Sequence, residues 1–315
     1  MLIETVAIRI IDDILEQVGL LEKVKFRRED LKLEAELAAM FKEVWDEQTI
    51  KALKKAAKIF EQSKVITQQQ VEQALGILRR ELGSKLTEKV DIKKITELLS
   101  AAYVLGKVSM GKIPSQKFAI EFTLDQEDKA AIQALQDHTM YWVGAQYDLH
   151  LRQKIANTVK KLAFGEGLGR KEVAETLKRE VGSILESHYD YWDILSSAVI
   201  QRSRMIGVVR SFIIAKVKTY RYVAMLDERT CPICSRMHNR VFEVRHAKRI
   251  VESTLNAQEP DDVKKAWAWL SATEQNIEWI ETSTEEELGL RDFCLPPLHG
   301  RCRCTVVVEE FEEIE

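Results

Sequence analysis

The sequence contains little proline and glycine. There are 5 Pro and 13 Gly among 315 residues, and aromatic residues make up 7%. Because proline and glycine break helices and build tight turns, their scarcity argues against a collagen-like chain and against a loop-rich all-β fold. The first proline is Pro114, so the residues before it can form helices without interruption. Charged residues reach 31%, above the usual ~25%, but 45% of residues are hydrophobic, which excludes a disordered chain.

Long apolar runs are also missing. The longest stretch without Asp, Glu, Lys or Arg is His138–Tyr147, ten residues, whereas a membrane-spanning helix needs about 20 apolar residues. Arg9, Asp12 and Asp13 interrupt the first apolar stretch, so we expect no secretory signal. We therefore expect a soluble protein made under reducing conditions, where five cysteines indicate metal binding or catalysis before disulfides.

The net charge is small but unevenly distributed. The whole chain carries −3, which excludes a bulk nucleic-acid-binding composition. Residues 1–219 carry 35 basic and 31 acidic residues, and residues 220–315 carry 12 and 19. Two basic clusters leave contact with DNA open, although a solvated helix face is the favoured explanation. The clusters are Arg152, Lys154, Lys160 and Lys161, and Arg202, Arg204 and Arg210.

Helical periodicity dominates residues 1–219. Thr67 is a candidate N-cap for a helix over 68–82, and Asp91 for one that ends near residue 110. Apolar residues at multiples of four predict a single helix over 127–164, about 55 Å long at ~1.5 Å per residue. A further helix is predicted over 189–217. We expect an elongated helical body, divided into a helical region 1–113 and a long-helix region 114–219.

Arg202 interrupts the apolar stripe of the predicted helix 189–217. We expect its side chain either to extend from the edge of the stripe into solvent or to pair with a carboxylate.

The pattern changes after residue 219. Three β-prone segments, near 220–226, 240–244 and 304–309, predict a sheet of about three strands. A helical insertion over 245–290 separates the last two, and its tryptophans are expected to be core residues. The sequence thus predicts a mainly α protein with a small C-terminal α+β module over 220–315.

Cysteine and histidine residues cluster in this module. Cys231 and Cys234 form a C-x-x-C pair after the first predicted strand, and His299, Cys302 and Cys304 precede the last one. Two such segments can enclose one tetrahedral zinc ion with sulfur ligands at ~2.3 Å. Five candidates compete for four positions, and either Cys302 or Cys304 can complete the site. Cys294 is expected to lie apart from it.

A structural zinc ion would stabilise a module with little core of its own. Other interpretations are simply packed, reduced cysteines or a redox-active C-x-x-C pair. The redox interpretation is disfavoured because residues 235–239 are predicted to form a turn where a helix would be needed. Asp227, Glu228, His238 and His299 leave a zinc-dependent hydrolase open, but enough sulfur ligands are present to close the metal shell, which favours a structural role.

Three segments, 226–234, 237–242 and 296–304, resemble the MuF-type phage head morphogenesis family, which includes the F protein of phage Mu. The resemblance rests on the D-x-R-T-C-x-x-C turn that begins at Asp227, on the Val241-Phe242 strand and on the H-x-x-C-x-C segment that begins at His299. Asn239 and Gly300 depart from the family pattern, which has Gly and Pro there, and the insertion is longer than expected. The segment ending in Gln201-Arg202-Ser203 is similar to the family's helical lead-in.

The resemblance implies a minor head protein that associates with the portal and other head proteins and assists procapsid assembly and genome packaging or ejection. It implies the host cytoplasm during assembly and then the virion head as locations, with no enzymatic activity and no small-molecule substrate. The alternative is a metal-dependent nuclease or toxin-like effector carried in the head.

Overall fold

The computed structural model describes residues 20–62, 65–108, 124–145, 149–165 and 168–312. Helices account for most of them. Their bounds are α1 Leu20–Glu61, α2 Gln68–Leu82, α3 Ser84–Thr87, α4 Ile92–Val108, α5 Gln126–Ala145, α6 Leu149–Phe164, α7 Arg170–Glu186, α8 Asp190–Ile214, α9 Pro232–Met237, α10 Val244–Leu255, α11 Pro260–Ala266, α12 Glu274–Thr282 and α13 Glu285–Leu290. The strands are β1 Val217–Val223, β2 Val241–Glu243 and β3 Thr305–Phe311. In these ranges, no helix combines the length and apolar character needed to cross a bilayer.

The chain forms two compact units. Of the described residues, one unit comprises those within 36–95 and 136–196, and the other comprises those within 20–35, 96–108, 124–135 and 197–312. This division differs from the linear regions expected from the sequence, because the chain leaves and re-enters each unit. The expected boundary at 113–114 lies outside the described residues.

The unit of residues 36–95 and 136–196 is helical. Phe41 and Trp45 lie one turn apart on α1, and their rings contact Trp192 with centroids 5.5 and 5.6 Å away. Thr67 caps α2 as predicted, and with Gln70 it forms a reciprocal capping box. The segment expected to form one helix over 127–164 contains α5 and α6, and residues 146–148 between them lie outside the described ranges.

In the other unit, α4 and α8 cross at very close range. A Cβ on Gly106 would lie 2.0 Å from the carbonyl oxygen of Arg204, and one on Gly207 would lie 2.2 Å from that of Tyr103. The hydroxyl of Ser203 donates to the Leu99 carbonyl across the same crossing at 2.7 Å. Only glycine permits this approach of two backbones, so the crossing depends directly on the sequence.

Buried charges beside this crossing are paired. The carboxylate of Asp128 accepts hydrogen bonds from Lys107 Nζ at 2.6 Å and from the Tyr103 hydroxyl at 2.7 Å. Burial raises the pKa of Asp128, but the bonds from Lys107 and Tyr103 outweigh it and leave the pKa below its ordinary value. Arg204 forms a second buried ion pair with Asp30 at 3.0 Å.

The sheet has the order β2-β1-β3 with antiparallel pairing throughout. β1 follows α8 almost directly, after Lys216, which has a positive φ of 53°. Tyr220 and Tyr222 on β1 are fully buried. The predicted three-stranded α+β module is therefore confirmed, and the helical insertion over 245–290 contains α10 to α13.

Candidate metal centre

The C-x-x-C pair lies at the beginning of α9, on the loop that leaves β1. Cys231 is the N-cap residue of this helix, and its sulfur accepts a hydrogen bond from the Cys234 amide at 3.3 Å. Pro232 occupies the first helical turn, where its fixed φ is favourable. The prediction of a turn over 235–239 is therefore wrong in part, since the helix continues to Met237.

Asn239 makes the turn into β2. Its φ is 67°, and its amide donates to the Tyr222 carbonyl at 2.8 Å. Asparagine tolerates this left-handed conformation better than most residues, so it serves in place of the glycine of the family pattern.

The second segment approaches α9 from the loop before β3. The ring of His299 lies between the two sulfurs of the C-x-x-C pair, with Nε2 at 3.1 Å from both Cys231 Sγ and Cys234 Sγ. Its Nδ1 lies 2.7 Å from the Gly300 carbonyl oxygen. Because a carbonyl only accepts, Nδ1 carries a proton, and loss of the Nε2 proton on metal binding would leave the Nε2 lone pair facing the sulfurs. This tautomer is the one that a metal-binding histidine requires.

All five predicted ligand residues meet at this place. Cys231, Cys234 and His299 form one group in which the ligand atoms lie within 4.8 Å of one another, and Cys234, Cys302 and Cys304 form another. Cys234 Sγ and Cys302 Sγ are 3.9 Å apart, close to the spacing of about 3.8 Å between two sulfurs at ~2.3 Å from a tetrahedral zinc ion. The arrangement could hold a metal ion.

The pKa values of the thiols in the cluster are shifted in opposite directions. Contact with Cys234 and then with His299 lowers the pKa of Cys231 to about 4. Contacts with Cys234, Cys304 and His299 likewise lower that of Cys302. The pKa of Cys234 is raised by its contacts with Cys231, Cys302 and Cys304. Neighbouring thiolates oppose further ionisation, and a divalent cation would remove that conflict, because metal-bound cysteines are deprotonated.

Tyr222 supports the sulfur cluster from the sheet side. Its hydroxyl is buried and makes no hydrogen bond to an oxygen or nitrogen atom among the described residues. Burial, followed by the nearby sulfurs of Cys304, Cys302 and Cys234, raises its pKa well above the ordinary value. A phenol in this position can donate to a thiolate, which fits a metal-bound sulfur. The β-prone pattern placed Tyr222 on a strand, but nothing in the sequence indicated this contact.

An ion pair joins the two ligand-bearing segments. Arg303, between Cys302 and Cys304, donates from both terminal nitrogens to the two carboxylate oxygens of Asp227. This hydrogen bonding, more than any other effect, lowers the pKa of Asp227 below its ordinary range. Asp227 also begins the turn before Cys231, where its carboxylate accepts from the Arg229 amide at 2.9 Å. The pair therefore holds the turn and the second segment together.

Other candidate residues do not join the cluster. Cys294 is fully buried and belongs to neither metal-capable group of the described residues, in agreement with the prediction. The Nδ1 atom of His238 accepts from the Ala224 amide at 3.2 Å, and Glu228 is exposed on the turn. Of the acidic and histidine residues considered for hydrolysis, only His299 contributes to the cluster.

Comparison with known families agrees with this geometry. Residues 153–307 match the family model described as Phage Mu protein F like protein. This part of the chain is therefore similar to Mu F-like phage head proteins. The match runs from α6 to β3, so it contains all five ligand candidates, and it confirms the resemblance seen in the motifs and in the less specific helical lead-in. It indicates a phage head morphogenesis protein. No curated protein and no solved structure matches the chain.

Proposed function

We propose that this protein is a portal-associated minor head protein whose C-terminal module is held together by a structural zinc ion. The observation that supports it best is the Mu F-like match over 153–307, which contains the whole cysteine–histidine cluster. In this proposal the protein assists procapsid assembly and genome packaging or ejection. It acts in the host cytoplasm during assembly and remains in the virion head.

Zinc is the metal that suits these ligands. Thiolates with one imidazole are typical of closed structural zinc sites, whereas Mg²⁺ and Ca²⁺ prefer oxygen ligands. We propose Cys231, Cys234, His299 and Cys302 as the four ligands. Cys302 is favoured because its sulfur lies at a tetrahedral spacing from Cys234 and beside the His299 ring. Cys304 then lies next to the site, where Tyr222 contacts its sulfur.

The choice between Cys302 and Cys304 is tested by two matched serine variants. With Cys302→Ser, we expect the bound zinc measured by elemental mass spectrometry to be lost. With Cys304→Ser, we expect about one zinc per chain to remain. The reverse pattern would assign the fourth position to Cys304.

Portal association is tested with the full chain. We expect it to co-sediment with portal rings when the two proteins are expressed together. A deletion of residues 1–113 is a poor test, because it removes α4, which packs on α8. Nuclease treatment of the mixture is the control, since bridging DNA would also produce co-sedimentation. A chain that sediments alone while portal rings form would contradict the proposal.

The alternative is a metal-dependent nuclease or toxin-like effector. It needs a metal with an open position and a nearby base. Here most of the candidate ligand atoms are sulfurs, and the carboxylate of Asp227, at the start of the motif, binds Arg303. Incubation of the zinc-loaded protein with DNA or RNA, with and without Mg²⁺, distinguishes the two. We expect no cleavage, and cleavage lost with Cys234→Ser would favour the effector.

Contact with DNA is supported by only one of the two basic clusters. Arg204 and Arg210 are engaged with carboxylates, and Arg202 is buried, so the second cluster is not a basic surface. Helix α6 carries Arg152, Lys154, Lys160 and Lys161, all exposed, and no acidic residue. A phosphate-binding role for this face is therefore the second candidate function.

Salt dependence tests this role. We expect retention on duplex DNA to weaken as salt rises. A plot of log affinity against log salt should have a negative slope, which is steeper by about 0.9 for each lysine that neutralises a phosphate. The variant with Lys154→Ala and Lys160→Ala should have a less steep slope. Lys264→Ala with Lys265→Ala is the matched control, because these lysines pair with Asp261 and Asp262. Equal slopes in both variants would reject the α6 face.

A further inference from the structure

Arg202 is a buried cation whose charge is not balanced by a carboxylate in the part of the chain that the structure describes. Neither sequence expectation for it holds there, since its side chain neither reaches into solvent nor forms an ion pair. Only 8% of the residue is exposed. Its guanidinium lies near two indole rings, with Cζ 5.7 Å from the centroid of Trp267 and 5.8 Å from that of Trp269.

The hydrogen-bonding capacity of Arg202 is largely unused. One terminal nitrogen donates to the Trp267 carbonyl at 3.1 Å, but the buried Nε has no partner among the described groups. Burial lowers the pKa of this guanidinium to about 10, which still leaves it charged at neutral pH. A buried charge without an anionic partner is destabilising, and an anion bound from outside the chain would offset that cost.

Trp269 is the solvent-exposed member of this group. Whereas Trp267 is fully buried, Trp269 is 44% exposed on the segment between α11 and α12. An exposed indole beside an underused guanidinium offers an apolar surface next to an ionic one. This combination suits a carboxylate with an apolar neighbour, because the planar fork of arginine binds carboxylates through two parallel hydrogen bonds.

The charge around the site disfavours nucleic acid. Residues 256–290 contain nine Asp and Glu but only two Lys. Binding to a phosphate backbone depends on several basic residues together. One guanidinium can bind one carboxylate through its planar fork, but it cannot by itself neutralise a phosphate backbone.

We propose that Arg202 and Trp269 form a binding site for one Asp or Glu side chain, together with its apolar neighbour, on a partner protein. That the partner is another head protein rests on the proposed function, whereas the carboxylate site does not. It also does not involve the zinc ligands, so the two proposals can fail separately.

The test uses the full-length protein and blocked dipeptides. The probe is N-acetyl-Phe-Glu-amide, and N-acetyl-Phe-Gln-amide is its uncharged match. Binding is followed by tryptophan fluorescence and by the shift in melting temperature. We expect saturable binding of the Glu probe, with the Gln probe about tenfold to a hundredfold weaker, as for other charge-assisted hydrogen bonds.

Variants separate binding from folding. Arg202→Met keeps the length of the side chain and removes the charge, so we expect it to melt at the same or a higher temperature and to lose the preference for the Glu probe. Trp269→Ala keeps the cation and removes the apolar surface, so we expect it to weaken the binding of both probes by the same factor. If Arg202→Met does not fold, Arg202→Lys must still bind the Glu probe more weakly, because it lacks the fork.

Three results would overturn the proposal. The first is equal binding of the Glu and Gln probes to the unmodified protein. The second is binding unchanged in Arg202→Met or Arg202→Lys. The third is a lower melting temperature of Arg202→Met together with no probe binding to the unmodified protein, which would indicate that a carboxylate of this chain already occupies the site. Bound zinc is measured in parallel, and its presence or absence bears on the proposed function alone.

Discussion

The crossing of α4 and α8 provides a strong test of the packing, because one methyl group should have opposite effects at two glycines. In Gly207→Ala, the new Cβ would lie 2.2 Å from the Tyr103 carbonyl oxygen, 0.8 Å less than the 3.0 Å that such contacts keep. The helices must therefore separate. In Gly76→Ala, on the exposed side of α2, no atom lies within 4 Å of the new Cβ.

The loss of unfolding free energy in Gly207→Ala follows from the contacts that are broken when the two helices separate. Forcing a methyl group into a packed crossing costs about 1–3 kcal/mol. The hydrogen bonds from Ser203 to Leu99 and from Ser211 to Lys107, now 2.7 and 3.3 Å, would lengthen, at about 1 kcal/mol each. Both variants gain about 1 kcal/mol of helix propensity. We therefore expect Gly207→Ala to lose about 2–4 kcal/mol and Gly76→Ala to gain up to about 1 kcal/mol of unfolding free energy.

The assay is chemical denaturation followed by circular dichroism, with both variants measured beside the unmodified protein. Because the two glycines belong to different compact units, a transition for each unit would allow the effects to be assigned. Equal stability of Gly207→Ala and Gly76→Ala would refute the close crossing.

Three further predictions concern the module and its support. Asp128→Asn should lower the unfolding free energy at pH 7 by about 3–5 kcal/mol, because it leaves buried Lys107 unpaired. The pKa of Asp128 is lowered from 3.8, so its contribution to the unfolding free energy is present above that pH and is lost as the pH falls below it. The unfolding free energy of the variant should therefore change less on acidification than that of the unmodified protein. The same change of unfolding free energy with pH in both proteins would contradict this. Asn239→Val should lower the unfolding free energy by about 1–2 kcal/mol, because valine is strained at this positive φ, whereas Asn239→Gly should not lower it. Thermal melts measure the difference, and equal melting temperatures of the two variants would count against the turn. Asp227→Asn should weaken zinc binding about tenfold to a hundredfold in a chelator competition, because it weakens the ion pair with Arg303 that joins the two ligand-bearing segments. An unchanged zinc affinity would show that this ion pair does not support the site.

Much of the fold could be predicted because its signals are local. The cap at Thr67, the stripe of α8 and the β-prone segments each depend on neighbouring residues, and the structure contains them at nearly the expected bounds. The five ligand candidates could be found as well, because cysteine and histidine spacing is specific. Their meeting at one place is long-range, but it follows from the chemistry of a shared metal ion.

What could not be predicted depends on contacts between distant residues. The environment of Arg202 is formed by tryptophans more than 60 positions away, so an amphipathic stripe alone suggested either solvent or a salt bridge. Tyr222 was recognisable as a strand residue but not as a neighbour of the sulfurs. The short helix α9 was missed because its cap is a cysteine sulfur, which is not among the usual N-cap side chains.

The central claim is that the cysteine–histidine cluster holds a zinc ion. It is tested most directly by elemental mass spectrometry of freshly purified, reduced protein, measured beside Cys231→Ser. We predict about one zinc per chain in the unmodified protein and its loss in the variant. Reduced, folded protein without any metal would contradict the claim and return Cys231 and Cys234 to the redox interpretation.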